Sequence, residues 1–432
     1  MNAFTRRFPE IERYAMSEAR PGRLVTAAVT SLVVGGCLYA STAASSSQDS
    51  GGALFGAAFW LQAMILLLYG TSRTTGSVLT ERLEKTWDLQ RLTPMSSWEL
   101  SIGKLLGAPI LAFYLAALFI PWAAAGLATS STLPMREVMW DYLLLAGTTF
   151  FSLSLGLLVS SHGEGSVGGA SAGTAGALMG AFGLSFLGSA MTSTGASKGG
   201  TLIPFFGRPC PLEFVILFSA VFFGAWALAG ARWRLGRELL EPRRAWRLPA
   251  FILSLAAYER ALGVPPFMTL IAPGVVMYFA GVLDGAAADR WKAWLAAPPR
   301  LWWDRMPSWI GGAAACVCAA CVLATLDQGP QTQSSPATVR FYPLILCGFI
   351  IRDLAFLQLC RFSKSRSPEV MAMIFIGLAY ALPSIVLGAA KASVLLYLFM
   401  PAPSESLPIL ANLAPGWLQA AGVCLLLKNR RG

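Results

Sequence analysis

The sequence has little charge. Asp, Glu, Lys and Arg together make up 13% of its 432 residues, and 55% of the residues are hydrophobic. An ordinary soluble protein has about 25% charged residues, so this composition excludes a disordered chain and disfavours a soluble enzyme. The composition predicts a polytopic integral membrane protein, and its long apolar stretches predict an all-α fold.

Residues that commonly carry catalysis are scarce. His162 is the only histidine, so neither a zinc protease site nor a histidine-based triad can be assembled; we predict a solvated turn residue. Seven of the eight cysteines lie in or beside apolar stretches, where cysteine behaves as a small hydrophobe. No phosphate-binding GxxxxGK[ST] loop occurs. We therefore predict no enzyme, with no catalytic residues, no metal site and no cofactor in this chain.

Ten stretches have the roughly 20 mainly apolar residues that cross a bilayer core of about 30 Å. They are residues 24–44, 53–71, 105–127, 139–160, 167–191, 212–231, 308–326, 341–360, 370–390 and 407–427. The first is predicted to be an uncleaved signal anchor, the alternative being a signal-peptide core. Residues 248–283 are interrupted by charges and prolines, so they form either a short helical hairpin or a re-entrant element. The prediction is about 10 to 12 transmembrane helices.

The basic residues are divided unevenly between alternate segments. The net charge is +11, but Lys and Arg cluster beside the apolar stretches, so we assign them to topology and predict no nucleic-acid partner. If residues 248–283 cross twice or not at all, the outer segments keep only Arg136, Lys198, Arg208, Arg260, Arg340 and Lys391. This distribution predicts a multi-pass membrane protein with both termini in the cytoplasm, and we expect that membrane to be the bacterial inner membrane.

The order of stretches and loops predicts four parts. They are a cytoplasmic amphipathic N-terminal helix (1–23), a first six-span half (24–231) with a long cytoplasmic loop (73–104), a basic linker (232–247) and a second membrane half (248–432). Trp87, Pro94 and Trp98 stand 204 positions before Trp291, Pro298 and Trp302. The second half is therefore either a degenerate repeat of the first, or the matches arise by chance in a chain rich in tryptophan.

The loop from Val78 to Gly107 carries the most informative pattern. Leu79, Leu83 and Trp87 recur every four residues and predict one apolar helical stripe, and Glu81 is predicted to pair with Lys85 one turn away. Pro94 is predicted to end this helix, and Ser96 or Ser97 to cap a second helix that runs through Glu99. The first helix lies on the membrane or in a groove of a partner; the alternative is an interfacial linker helix.

This loop resembles the signature of the ABC-2 type permeases, the membrane subunits of a large class of ABC exporters. That signature is a pattern near E-R-E-x-G-T, then leucines, T-P-hydrophobic-S, an acidic residue and G-K. The matching residues are Glu81, Arg82, Glu84, Thr86, Leu89, Leu92, Thr93, Pro94, Met95, Ser96, Glu99, Gly103 and Lys104. Leu83 departs from the common glutamate and Lys85 from the common glycine. The resemblance extends to the N-terminal helix and the six-span plan, over roughly residues 1–235.

The resemblance implies a function and a partner. The loop would be the coupling helix that docks into a cleft of a separate ATP-binding cassette ATPase, which binds ATP and Mg itself. The implied contact or framing residues are Glu81, Glu84, Thr86, Trp87, Leu89, Thr93, Pro94 and Glu99. The expected function is therefore export by a permease subunit, with one chain or two forming the pore. The alternative is a membrane structural or assembly protein that transports nothing.

Two further features lie within the apolar stretches. Arg352 and Asp353 are charged and lie about 12 Å inside a predicted span. Adjacent helical residues point about 100° apart, so each is expected to have its own partner or a route to the interface; their role is structural anchoring or conformational coupling. Residues 163–200 are rich in Gly, Ala and Ser, which serves either close helix packing or the lining of a substrate path.

Overall fold

The protein is helical through most of its length. The computed structural model describes residues 8–44, 49–162, 169–196, 202–241, 246–283, 293–294, 296–298, 302, 306–325, 340–362, 368–401 and 407–429. Within these ranges, nine helical stretches are long and apolar enough to cross a membrane: Pro21–Ala44, Ser50–Leu83, Ser97–Thr129, Met135–His162, Leu212–Glu238, Ser308–Thr325, Tyr342–Arg361, Val370–Ala389 and Ile409–Leu427. The chain is an all-α polytopic membrane protein, as its composition predicts.

The tenth predicted span also falls on a helix. Residues 167–191 overlap the helix Gly169–Ala196, in which the apolar portion Gly176–Ser189 is shorter than the other nine. The chain divides into two compact units: Met1–Ile203 with Pro209–Pro242, and Pro204–Arg208 with Arg243–Gly432. The boundary near residue 242 lies within the arginine-rich segment 232–247.

The first unit begins with a short helix and continues with six long helical stretches. Its elements are α1 (Pro9–Glu18), α2 (Pro21–Ala44), α3 (Ser50–Met64), the π-helix (Ile65–Gly70), α4 (Thr71–Leu83), α5 (Trp87–Arg91), α6 (Ser97–Gly107), α7 (Ile110–Leu118), α8 (Ile120–Thr129), α9 (Met135–His162), α10 (Gly169–Ala196) and α11 (Leu212–Glu238). A hairpin of two strands, β1 (Leu202–Phe205) and β2 (Arg208–Pro211), lies between α10 and α11.

Two of the six stretches are interrupted. The second runs without a loop from α3 through the π-helix into α4, so it spans 34 residues. The third changes direction at Pro109, which precedes α7, and again at Phe119, with Pro121 in the first turn of α8. Proline lacks a backbone N–H and clashes with the preceding turn, which explains the breaks in the third stretch. Aromatic rings hold the second and fourth stretches together: Phe59 meets Tyr142 edge to face, with ring centroids 5.6 Å apart.

The second unit packs around one central helix. Its elements are α12 (Arg247–Ala261), α13 (Ile271–Leu283), α14 (Ser308–Thr325), α15 (Tyr342–Arg361), α16 (Pro368–Ala389), a 3-10 helix (Ser393–Leu398) and α17 (Ile409–Asn429). The core includes Met277, Trp309, Cys316 and Ile350. Most of α15 is buried, whereas few residues of α16 are, so α16 lies at the periphery of this unit.

Residues 248–283 form two short helices rather than one long one. α12 has 15 residues and α13 has 13, and a turn containing Gly263, at φ 76°, joins them. At a rise of 1.5 Å per residue α13 is about 20 Å long, which is less than the hydrocarbon thickness of about 30 Å. Trp291 lies outside the described residues, so the proposed repeat of Trp87, Pro94 and Trp98 stays a prediction.

A buried ionic cluster beneath the candidate docking surface

The loop after the second stretch bends where one straight helix was predicted. α4 ends at Leu83, and Lys85 adopts a φ of 58° before α5 begins at Trp87. The Thr86 amide donates to the Glu81 carbonyl, N to O 2.9 Å. The prediction of a continuous helix ended by Pro94 is therefore wrong, because a left-handed residue terminates α4. The bend also removes the predicted stripe: Leu79 and Trp87 are buried, whereas Leu83 is exposed.

Glu81 is the centre of the cluster. Its side chain is buried and forms ion pairs with Lys104 of α6 and Arg13 of α1. Gln90 of α5 donates to Glu81 Oε1 at 2.8 Å, and the Tyr14 hydroxyl lies 3.4 Å from the same oxygen. The predicted pair of Glu81 with Lys85 is thus wrong, because the break at Lys85 separates the two side chains and Glu81 points inward to partners from other helices.

The N-terminal helix supplies a second carboxylate. Glu10 is buried and accepts from Arg13, with Nε 3.0 Å and Nη2 2.8 Å from Oε2. α1 approaches α6 closely because Gly103 has no side chain: a methyl carbon there would lie 2.5 Å from the Glu10 Cβ. With Glu10, Glu81, Arg13 and Lys104 all charged, the cluster is neutral, which a buried ionic group requires.

Aromatic rings surround the buried ammonium group. Lys104 has no exposed surface, and its Nζ lies 5.7 Å from the centre of the Trp87 ring and 5.9 Å from that of Tyr14. Such cation–π contacts stabilise a cation that has lost its water. Burial first, and then the negative charge of Glu81, raises the pKa of the Tyr14 hydroxyl. Tyr14 therefore stays protonated and remains a hydrogen-bond donor.

Further contacts connect the loop to the fourth and sixth stretches. Arg82 donates to the Ser161 carbonyl at 3.1 Å and forms an ion pair with Glu238. Glu241 accepts from Ser97, with the amide nitrogen at 2.8 Å and the hydroxyl at 2.7 Å. Ser161 lies in the last turn of α9, Glu238 ends α11, and Glu241 follows α11 by three residues. The loop is thus attached to both stretches at one end of the unit.

The second helix of the loop begins as predicted. Ser96, one of the two predicted caps, accepts from the Glu99 amide at 3.3 Å, and the Glu99 carboxylate accepts from the Ser96 amide at 2.9 Å. This reciprocal capping box fixes the start of α6. Glu99 therefore helps to fix the position at which the loop ends and α6 begins.

The segment from Leu83 to Pro94 exposes apolar side chains between the charged residues Lys85, Asp88 and Arg91, and we call its exposed apolar and adjoining uncharged or acidic residues at the bend the elbow surface. Leu89 is 67% exposed and Leu92 83% exposed. The residues that form this surface are Leu83, Glu84, Leu89, Leu92, Thr93 and Pro94. Of the eight residues assigned to docking from the sequence, Glu84, Leu89, Thr93 and Pro94 lie on this surface. Thr86 and Glu99 are half-buried, and Glu81 and Trp87 lie beneath it.

Sequence reasoning missed most members of the cluster around Glu81. Glu10, Arg13, Tyr14 and Gln90 were not among the predicted site residues, and Lys104 appeared only in the signature. Arg13 is 68 positions from Glu81 and Lys104 is 23, so helical spacing gives no sign of these pairs. The one available signal was the Gly-Lys pair at Gly103 and Lys104, whose glycine allows the close approach of α1.

A second ionic group lies in the other unit. Arg352 and Asp353 are both buried in α15, and the Arg352 Nε donates to Asp353 Oδ1 at 2.7 Å. The expectation of separate partners for the two residues is thus wrong in part, because the long arginine side chain folds back onto its neighbour. Each also has partners of its own. Those of Arg352 are the Phe399 carbonyl and the Gln419 side chain, and those of Asp353 are the hydroxyls of Tyr278 and Tyr380.

The remaining candidates are unremarkable in their surroundings. His162 is the exposed last residue of α9, and its Nδ1 lies 2.9 Å from the Leu158 carbonyl. In the described part of the chain, no group of three His, Cys, Asp or Glu residues is placed to hold a metal ion.

Comparison of the chain with protein-family models, curated proteins and solved structures gives no significant match.

Proposed function

We propose that this chain is the permease subunit of an ATP-driven exporter in the bacterial inner membrane and that a separate ATP-binding cassette ATPase docks on the elbow surface. The observation that carries the proposal is an exposed apolar surface supported directly from below by a neutral buried ionic cluster. An apolar patch in water favours a protein partner, and buried ion pairs fix the geometry of the helices that carry it. ATP and Mg²⁺ belong to the partner.

The arrangement suits the transmission of movement. The elbow surface begins at Leu83, the last residue of α4, which ends a 34-residue helical stretch. Glu81, one turn before the bend, ties that stretch to α1 and α6, and Arg82 ties it to α9 and α11. A displacement at Leu89 would therefore move several spans together. This is the mechanical requirement for an ATPase to drive a membrane bundle from outside.

The backbone also supports the resemblance to ABC-2 type permeases. Lys85 occupies the position at which that signature commonly has glycine, and its φ of 58° lies in the left-handed region that favours glycine. The signature glycine and the bend thus have one explanation, since a left-handed residue is needed to end α4 there. Lys85 meets the same geometric requirement with a side chain that points into solvent.

Capture of the partner tests the proposal. The full chain is affinity-purified from membranes of its native host after mild crosslinking, and captured proteins are identified by mass spectrometry. We expect an ATPase with a phosphate-binding loop. The variant Leu89→Asp with Leu92→Asp should reduce its capture at least about tenfold, because a charge would be buried at the centre of the interface. Met16→Asp, an exposed apolar residue of α1, is the matched control and should capture normally.

Three results of the capture experiment would count against the proposal or against the docking site. If wild-type chain captures no such ATPase, the permease proposal is wrong and the structural or assembly role is favoured. If the elbow variant captures as well as wild type, the ATPase binds elsewhere. If Met16→Asp loses capture too, the loss at the elbow reflects a general disturbance.

We also propose that both termini face the cytoplasm. This orientation places the elbow surface, and with it the ATPase, on the ATP-containing side, and rests on the partition of basic residues. A membrane-impermeant maleimide applied to intact cells should label Ser131→Cys, between α8 and α9, and leave Leu240→Cys, after α11, unlabelled. Peptide mass spectrometry separates these sites from native cysteines. The reverse pattern would invert the topology.

A further inference from the structure

Four buried hydroxyl groups of the first unit have no hydrogen-bond partner among the described residues, and three of them lie along one seam between helices. Serine and threonine in apolar helices usually donate to a carbonyl one turn back, as Thr75 does to the Thr71 carbonyl at 2.8 Å. The hydroxyls of Thr71, Thr149 and Ser152 have no hydrogen-bond partner among the described residues. These residues are 0%, 6% and 1% exposed, so water at the surface does not reach them.

The three residues share one seam. Ser152 points at α10, because a methyl carbon built on Gly183 would overlap the Ser152 Oγ. Gly156 lies one turn beyond Ser152, and a methyl carbon there would be 3.3 Å from the Thr71 Cγ2. Thr149 lies one turn before Ser152 on the same helical face. The seam thus lies between the second stretch, α9 and α10.

The backbone is irregular at the same place. The π-helix and the start of α4 both face α10: methyl carbons built on Gly180 and Gly176 would overlap the Leu67 carbonyl oxygen and the Ser72 Cα. π-helical segments are rare and occur frequently at functional sites. Here the segment joins the apolar α3 to α4, whose other end carries Glu81. The seam therefore lies on the helix that would receive movement from the elbow surface.

Close packing alone does not account for these residues. Glycines on α10 explain how the helices approach, but alanine at Ser152 would pack as well and would bury no unpaired hydroxyl. The described side chains at the seam are hydroxyl-bearing or apolar, including Leu67 and Leu153, and none is ionisable. A charged ligand would lose its water there without a counter-charge. An uncharged ligand with its own hydroxyl groups would form hydrogen bonds with the hydroxyls of Thr71, Thr149 and Ser152.

We propose that this seam is a binding site for an uncharged, hydroxyl-bearing amphipathic molecule. It is closed in this structure, and α10 must separate from the π-helix and α9 to admit the ligand. This inference rests on the proposed function, since it names the class of molecule that the exporter carries. The hydroxyls of Thr71, Thr149 and Ser152 bind the polar part, and the leucines contact the apolar part.

Cysteine accessibility tests the site. Ser152→Cys is prepared in the full chain in lipid nanodiscs, and the matched control is Ser154→Cys. Ser154 is equally buried and also has no partner among the described side chains. It faces α11 instead, on the same face as Gly147 and Leu158, which contact Leu217 and Gly230. The new cysteines of the two variants therefore face different helices. They lie on the same helix, are buried to the same extent and replace the same type of residue.

Two reagents distinguish the chemistry of the seam. Hydroxyethyl methanethiosulfonate is uncharged, and its trimethylammonium analogue carries a positive charge. Modification is read on the peptide that contains the new cysteine. We expect the neutral reagent to modify Ser152→Cys at least about tenfold faster than Ser154→Cys, because thiol modification follows access. The charged reagent should modify both slowly, and octyl glucoside, a neutral sugar amphiphile, should slow modification at position 152.

The result that overturns the site is equal modification of the two variants by the neutral reagent. Fast modification of Ser152→Cys by the charged reagent would also overturn it, since the seam would then be an aqueous route. Thr149→Cys serves if Ser152→Cys does not fold. ATPase capture is measured on the same samples. Capture without modification rejects the seam alone, and modification without capture rejects the exporter while retaining the seam.

Discussion

The two units bury charge in different ways. In the first, Glu10, Arg13, Glu81 and Lys104 come from helices far apart in sequence and meet directly beneath exposed leucines. In the second, Arg352 and Asp353 are adjacent in sequence and enclosed by the rings of Phe349 and Tyr380 and by Gln419. The first arrangement joins helices behind a surface that a partner can reach, whereas the second joins helices within a core. Buried charge therefore joins helices in both units, and the two units differ in whether exposed apolar side chains lie beside it.

The largest effect is expected where a buried cation loses the carboxylate that it contacts. Glu81→Gln removes the ion pair of Lys104 and one of the two ion pairs of Arg13 and leaves Glu10 as the one carboxylate of the cluster, which should cost about 3–5 kcal/mol of local stability. Hydrogen exchange measured by mass spectrometry on α4 and α6 reports this loss. Glu84→Gln, three residues away and exposed, is the control and should change stability by less than about 0.5 kcal/mol. Equal effects of the two variants would contradict the cluster.

A smaller effect is expected in the second unit. Asp353→Asn leaves Arg352 with the Phe399 carbonyl and Gln419, at 3.1 Å and 2.8 Å from Nη1, so the loss on α15 should be about 1–3 kcal/mol. Adding Arg352→Gln to this variant removes the uncompensated charge and should restore part of the lost stability. If the double variant loses more stability than the losses of the two single variants added together, the pair is not the source of the stability.

Tyr14 tests whether its hydroxyl or the ion pairs stabilise the first cluster. Tyr14→Phe removes a hydroxyl that lies 3.4 Å from the Glu81 Oε1 but keeps the ring near Lys104. We expect a loss of about 0.5–1 kcal/mol, confined to α1, because a long hydrogen bond contributes little. Exchange that accelerates in α4 as strongly as in Glu81→Gln would mean that the hydroxyl, rather than the ion pairs, stabilises the cluster.

The smallest effect is expected at Asp49, a half-buried carboxylate at the start of α3. Asp49 accepts from the Ser130 hydroxyl at 2.6 Å, from the Thr132 hydroxyl and from the Gly52 amide at 2.9 Å, and these hydrogen bonds hold the pKa of Asp49 below its usual 3.8. A lowered folded pKa gives stability that is present above pH 3.8 and is lost as the pH falls below it. Hydrogen exchange near Gly52 should therefore rise slightly below pH 4.

The matched variant removes the titrating group. In Asp49→Asn the side chain has no charge to lose, so exchange near Gly52 should be independent of pH once the intrinsic chemical rate is corrected. A pH dependence that persists in this variant would assign the effect to another group. Asp49 caps a single helix and is half-buried, whereas Glu81 is buried and contacts residues of three other helices. The contrast between the two variants therefore separates a capping carboxylate from one that joins helices.

The bend at Lys85 shows where sequence reasoning fails locally. Every residue from Leu79 to Arg91 except Lys85 has helical or near-helical geometry, and the four-residue spacing of Leu79, Leu83 and Trp87 matches a straight helix. The capping box at Ser96 and Glu99, by contrast, was predictable because both partners lie within one turn. The bend depends on Trp87 entering a core formed with Val78, Leu100 and Leu235, which no local pattern reveals.

The amino-acid sequence by itself determined the membrane class, the helical fold and nine of the spans, because the scarcity of charge and the length of apolar runs act locally and additively. It also determined where α6 begins. Only the tertiary structure decided that Glu81 faces inward to Lys104 and Arg13, that Arg352 pairs with its own neighbour, and that Ser152 faces α10. These choices depend on which helices lie side by side, and a charge or hydroxyl in an apolar environment takes whichever partner the packing brings within reach.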